Sequence, residues 1–88
     1  MSAAVREIQP TPNPNAMKFV LDRCVFTEPA SFYSAADARA NPLANQLMGI
    51  PGVTHVMLLG DFVTVGKQSQ ARWSNINAHV KRIMAAGS

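Results

Sequence analysis

The chain has 88 residues, 48% of them hydrophobic and 15% charged, with a formal net charge of +3. That is the length of one small domain, 1–88, and the balance is too apolar for an intrinsically disordered chain. A lone Cys24 excludes a disulfide framework or a thiol redox pair, and no run approaches the roughly 18 apolar residues that a membrane span needs. Met1–Pro10 carries Arg6 and Glu7 without an apolar core and does not read as a secretory leader. The expectation is a cytoplasmic protein.

From Val5 to Gln9 the chain reads as a short extended segment. Pro10, Pro12 and Pro14 then alternate with Thr11 and Asn13. Each proline fixes its own φ and restricts the residue before it, so this stretch is a stiff loop. Met17–Leu21 and Cys24–Thr27 read as two strands about a turn at Asp22-Arg23. Ser34 with Asp37 three residues on resembles a capping box, which predicts a helical turn over Ala35–Arg39. Asn41 at the N-cap and Pro42 at the first helical position start a second helix, with Leu43, Leu47 and Ile50 on one face. Gly49 or Gly52 supplies its left-handed stop.

Val53–Leu59 and Phe62–Lys67 flank Gly60-Asp61, a two-residue turn that closes a tight hairpin. The register then sets Leu58 opposite Val63 and Val56 opposite Val65, one wholly apolar face. His55, Met57, Leu59, Phe62 and Thr64 fall on the other. Trp73, Ile76, Val80, Ile83 and Met84 recur at i, i+3, i+7, i+10 and i+11, an amphipathic helix. The predicted class is α+β: a two-layer sandwich with a mostly antiparallel sheet and helices packed on one face.

Chemistry-bearing residues are few. Cys24 falls in the expected strand Cys24–Thr27, where a free thiol behaves as a small hydrophobe. His55 and His79 have no ligand spacing to each other or to Cys24. There is no nucleophile–base pattern, no glycine-rich phosphate loop and no carboxylate pair, so the chain does not read as an enzyme. Charge is uneven: Phe62–Ser88 holds Lys67, Arg72, Lys81 and Arg82 with no acid. That third is a candidate docking surface for an acidic partner. Arg72 and Lys81 fall on opposite sides of the helix, so the stripe that nucleic acid needs is not formed by them.

Thr11-Pro-Asn-Pro-Asn15 followed by Ala16-Met-Lys-Phe19 resembles the opening signature of the N-terminal domain of Nfu/NifU-type iron–sulfur scaffold proteins. The resemblance continues through Asn41-Pro42-Leu43-Ala44 with Leu47, Ile50 with Gly52-Val53 and Val56, Asp61-Phe62-Val63-Thr64-Val65, and Trp73. It implies a two-layer α+β domain linked to iron–sulfur cluster assembly. In full-length members the cluster sits on a separate domain with a Cys-x-x-Cys motif, and these 88 residues hold no such pair. Cys24 matches no cysteine of the signature, so no ligand role carries over to it.

The leading expectation is a non-catalytic accessory module that binds a protein partner of iron–sulfur assembly, with no membrane or nucleic-acid partner. Its contact surface would combine Thr11, Asn13 and Asn15 of the stiff loop, Lys18 as a rim charge, and Met57 with Phe62 as the apolar anchor. No cofactor is expected to be held stably. The alternative is a weak iron-ion site drawing on carboxylates with Cys24 and His55.

Overall fold

The computed structural model describes residues 4–86. Residues 1–3, part of the stretch read against a leader, and residues 87–88 lie outside them. The elements in chain order are β1 (Val5–Pro10), β2 (Ala16–Leu21), β3 (Phe26–Phe32), α1 (Ala35–Ala38), α2 (Pro42–Met48), β4 (Val53–Gly60), β5 (Phe62–Lys67) and α3 (Trp73–Ala86). All strand pairs are antiparallel, in the order β1-β2-β5-β4-β3. The architecture is the predicted α+β class.

One face of the sheet makes the core. Alternation along β2 sends Phe19 and Leu21 to that face. There they join Leu58 and Val56 of β4 and Val63 and Val65 of β5. The hairpin register is the predicted one, Leu58 opposite Val63 and Val56 opposite Val65. Gly60 takes a φ of +58° at the turn, the conformation that a tight hairpin asks of its first central residue. From the helices, Ala38, Ala44, Leu47, Ile76, Val80 and Met84 close the same cluster.

The helix ends follow local chemistry. The Ser34 hydroxyl accepts from the Asp37 amide at 3.1 Å, and the Asp37 carboxylate accepts in return from the Tyr33 amide at 3.4 Å. The Asn41 side chain accepts from the Ala44 amide at 3.1 Å, with Pro42 opening α2. Gly49 keeps a right-handed φ of −76°, whereas Gly52 supplies the positive φ, +92°, three residues later. A side chain at Gly52 would meet the Ala71 methyl at 2.5 Å. In α3, Ile76, Val80 and Met84 are buried while Trp73 and Ile83 are half-buried against the core.

The sequence reading fails between β2 and β3. No hairpin forms at Asp22-Arg23: β2 pairs with β1 and β5, and β3 starts only at Phe26 and pairs with β4 at the far edge. The connection crosses the end of the β4–β5 hairpin instead. The Leu21 amide donates to the Asp61 carbonyl at 2.7 Å, and the Val25 amide to that of Gly60 at 2.9 Å. One flank of β2 is filled by its neighbour β1 and the other by β5, a strand distant in sequence whose claim local turn chemistry does not reveal. The side-chain hydrogen bond from Arg23 holds the Asp22 carboxyl below the usual carboxylate range. Cys24 is likewise displaced from the predicted strand to this exposed crossing.

Trp73 joins these layers. Its ring meets Phe19 at 6.4 Å between centroids, and its indole N–H donates to the Pro14 carbonyl at 3.2 Å. Full truncation of a buried aromatic costs about 3–5 kcal/mol. For the half-buried Trp73, Trp73→Ala is expected to lower unfolding stability by about 3 kcal/mol, read from urea melts of the two proteins. A loss below about 1 kcal/mol would contradict this assignment.

Candidate functional site

The loop from Thr11 to Asn15 is stitched from within. The Thr11 hydroxyl accepts from the Asn13 amide at 3.1 Å and lies within hydrogen-bond reach of the Asn13 and Ala16 carbonyls, at 2.9 and 3.0 Å. The Asn13 side chain accepts from the Asn15 amide at 2.9 Å. Asn15 accepts twice from Lys67, through its side chain from Nζ at 3.1 Å and through its carbonyl from the backbone amide at 2.8 Å. Each predicted loop residue therefore has an internal partner, and together they tie β1–β2 to the end of β5.

The second surface is the face of the sheet opposite the helices. Residues paired across strands share a face, which places Lys18 and Val20 of β2, Phe62 and Thr64 of β5, and Met57 and Leu59 of β4 side by side. Met57, Leu59 and Phe62 are not among the residues packed on the core cluster. The Lys18 ammonium lies 4.2 Å from the centroid of the Phe62 ring, a contact worth about 0.5–1 kcal/mol at an exposed site. Further along, the His55 ring stacks on Tyr33 with centroids 5.9 Å apart. His55 also lies flat over Gly66, where any Cβ would run into the imidazole. Tyr33 is 65% exposed and Leu59 39%.

Lys18, Met57 and Phe62 thus share one sheet face. Thr11, Asn13 and Asn15 are not part of that cluster. Asn15 is bonded to Lys67 at one end of β5 and Phe62 stands at the other, about 16 Å away at the rise of an extended strand. Cys24 and His55 are also separated. Cys24 lies beside the Gly60 end of β4 and His55 near its start. No three His, Cys, Asp or Glu side chains converge as a metal site among the described residues. No helix among them is long and apolar enough to cross a membrane.

A third feature escaped the sequence reading. Ile50, Pro51 and Gly52 face Gln68, Gln70, Ala71, Arg72, Asn75 and His79 across a cleft of about 470 Å³. Its polar wall includes Arg72, just ahead of α3, with Asn75 and His79 on one flank of that helix, and Arg82 continues the spacing i, i+3, i+7 and i+10 beyond the cleft. That spacing was visible in the sequence. Comparing only Arg72 with Lys81 concealed it.

The comparisons with known proteins bear on the whole of this arrangement. The family described as scaffold protein Nfu/NifU N terminal matches residues 5–87. The chain is 42% identical over 65 residues to the mitochondrial NFU1 iron–sulfur cluster scaffold homologue of Homo sapiens, covering 73% of this chain and 26% of that protein. It is 30% identical over 84 residues to conserved virulence factor C of Staphylococcus aureus, covering 96% of this chain and 22% of that one. The chain therefore spans about a quarter of the length of these curated relatives. The crystal structure of protein SAV1430 from Staphylococcus aureus superposes with a TM-score of 0.76 at 24% identity, over 94% of this chain and 98% of that one. The shared fold and a match running from β1 to the end of α3 lead to one conclusion: this chain belongs to the Nfu/NifU N-terminal family of scaffold proteins.

Proposed function

We propose that the chain is a non-catalytic interaction module of iron–sulfur cluster assembly, and that its partner is a protein packing on the open sheet face. The observation that carries this reading is the apolar group Met57, Leu59 and Phe62 on the sheet face away from the helices, which does not pack on the core, Leu59 being exposed and the other two half-buried. A lone exposed apolar residue means little, but a group of them beside a cation is the composition of a contact surface. Family membership supports the pathway, and a relative bears the name of an iron–sulfur cluster scaffold. Lys18 sits at the rim, held over Phe62 and so partly ordered before contact.

In this reading the module acts by contact and holds no cluster itself. Cluster ligation usually takes four thiolates, and these 88 residues contain one. Anaerobic reconstitution with iron and sulfide is expected to leave the purified chain without a stable visible chromophore. A chromophore that disappears in Cys24→Ser would overturn this, because it would require an oligomer bridged through that residue.

The docking surface is tested with Phe62→Ser. Affinity capture from lysate is expected to recover iron–sulfur assembly proteins with the parent chain, and at least about ten-fold less with the variant, the loss of one anchor worth about 1.4 kcal/mol. Because Phe62 does not pack on the core, its melting temperature should fall by no more than about 4–8 °C. Equal recovery by a folded variant would refute the sheet face as the site. A collapse in melting temperature would return Phe62 to the core and refute it equally.

A further inference from the structure

The cleft beside α3 shares no residue with the sheet-face cluster, and its construction is specific. The Gln68 amide donates to the Gly52 carbonyl at 2.8 Å, and the Val53 amide to that of Ile50 at 3.1 Å. These bonds fix the α2–β4 turn against the β5–α3 link. Gly52 closes on Ala71 at the floor, with no room for a side chain between them. One wall is apolar, made by Ile50, Pro51 and Ala71; the other is the flank of α3.

That flank presents cations and donors without a carboxylate. None of the nine lining residues is an acid, and Phe62–Ser88 contains none. Arg72 has no ion-pair partner among the described residues. In His79, Nδ1 lies 2.7 Å from the Asn75 carbonyl. A carbonyl only accepts, so Nδ1 carries the proton; the ring is anchored to its own helix, and the anion-binding charge of this flank rests on the arginines. Arg82 extends the same flank beyond the cleft. Arg72 immediately precedes α3 and Arg82 stands ten positions on, about 15 Å at the helical rise of 1.5 Å per residue. An extended peptide covers that distance in four to five residues, at about 3.3 Å each.

We propose that this cleft and the flank of α3 bind an extended acidic peptide segment of a partner protein. One carboxylate is met by Arg72 and the second, four or five residues away, by Arg82. A small apolar side chain beside the first carboxylate lies against Ile50, Pro51 and Ala71. Charge complementarity selects the segment, and the open row of cations, longer than the cleft itself, favours a peptide over a compact small molecule. The proposal stands independently of the sheet-face reading.

The test is a titration of the isotope-labelled full chain, followed by amide chemical shifts. The probe is a capped octapeptide carrying two glutamates four residues apart, with leucine beside the first. Saturable shifts are expected at Gly52, Ala71, Asn75 and His79, with a dissociation constant below about 1 mM. They should weaken as salt rises. Arg72→Ala with Arg82→Ala should weaken binding about ten-fold, two partly exposed ion pairs being lost. Both side chains are exposed, so the spectrum of the variant also reports that it is folded. Phe62→Ser should bind the peptide like the parent chain. Failure to saturate by about 5 mM overturns the proposal, as does equal binding by the arginine variant or by the lysine analogue of the peptide. Inorganic phosphate or citrate moving the same amides as strongly as the peptide would also overturn it, in favour of a small-anion site.

Discussion

The arrangement of both layers depends on the contacts of Trp73 at the head of α3. Its indole donates to Pro14 of the β1–β2 loop, its ring meets Phe19 in the core, and the Lys67 ammonium lies 5.6 Å from its centroid. Lys67 in turn is bonded to Asn15. Loop, central strand and helix therefore meet at one corner. With α3 fixed there, Ile76, Val80 and Met84 point into the sheet and Arg72, Asn75 and His79 face the α2–β4 turn. The cleft and the core are consequences of the same attachment.

The other face of the sheet follows from helix supply. Three helices, one of them a single turn, are placed on one side, and Met57, Leu59 and Phe62 on the other are left outside the core, Leu59 exposed and the other two half-buried. The sheet edges are poor alternatives for binding. β1 ends in Pro10 and carries an irregularity between Val5 and Glu7; β3 contains Glu28 and Pro29 and a second irregularity between Phe26 and Ala30. Proline, charge and bulges each blunt an edge against strand addition. Strand addition at either edge is thereby disfavoured. The flat seat of His55 on Gly66 keeps that face low near its Tyr33 end, where a bulkier residue in β5 would lift the ring.

What could be read from sequence was local. Asn41-Pro42 set the start of α2, Gly60-Asp61 set the register of β4 and β5, and the i, i+3, i+7 spacing from Trp73 set the buried face of α3. These outcomes depend on neighbours a few residues apart. The β2–β3 connection failed because its competitor, the pairing of β2 with β5, joins residues more than forty positions apart. Met57 and Phe62 share a face by strand alternation about the Gly60-Asp61 turn, whereas Lys18 comes beside them only through the β2–β5 pairing. Joining the Thr11–Asn15 loop to them overlooked that Asn15 reaches Lys67, at the opposite end of β5 from Phe62. The cleft was hidden for a similar reason: its apolar wall comes from Ile50–Gly52 and its polar wall from α3.

The loop shows how a rigid motif can matter without touching a ligand. Thr11, Asn13 and Asn15 each close a hydrogen bond inside the chain, and two prolines restrict the unfolded backbone at Pro12 and Pro14. Restriction of the unfolded state and internal satisfaction of polar groups both favour the folded corner. The corner then carries Lys67, whose ammonium also reaches the Gln68 and Ser69 carbonyls at 3.2 and 3.5 Å. Those two residues lead directly into the cleft wall. The motif thus positions the β5–α3 link, and through it Arg72, while its effect on the sheet face passes only along the backbone of β2 and β5. A change in the loop should consequently act first on the cleft side of the molecule, because that side is joined to it by side-chain bonds, whereas Phe62 and Lys18 are held by their own strands.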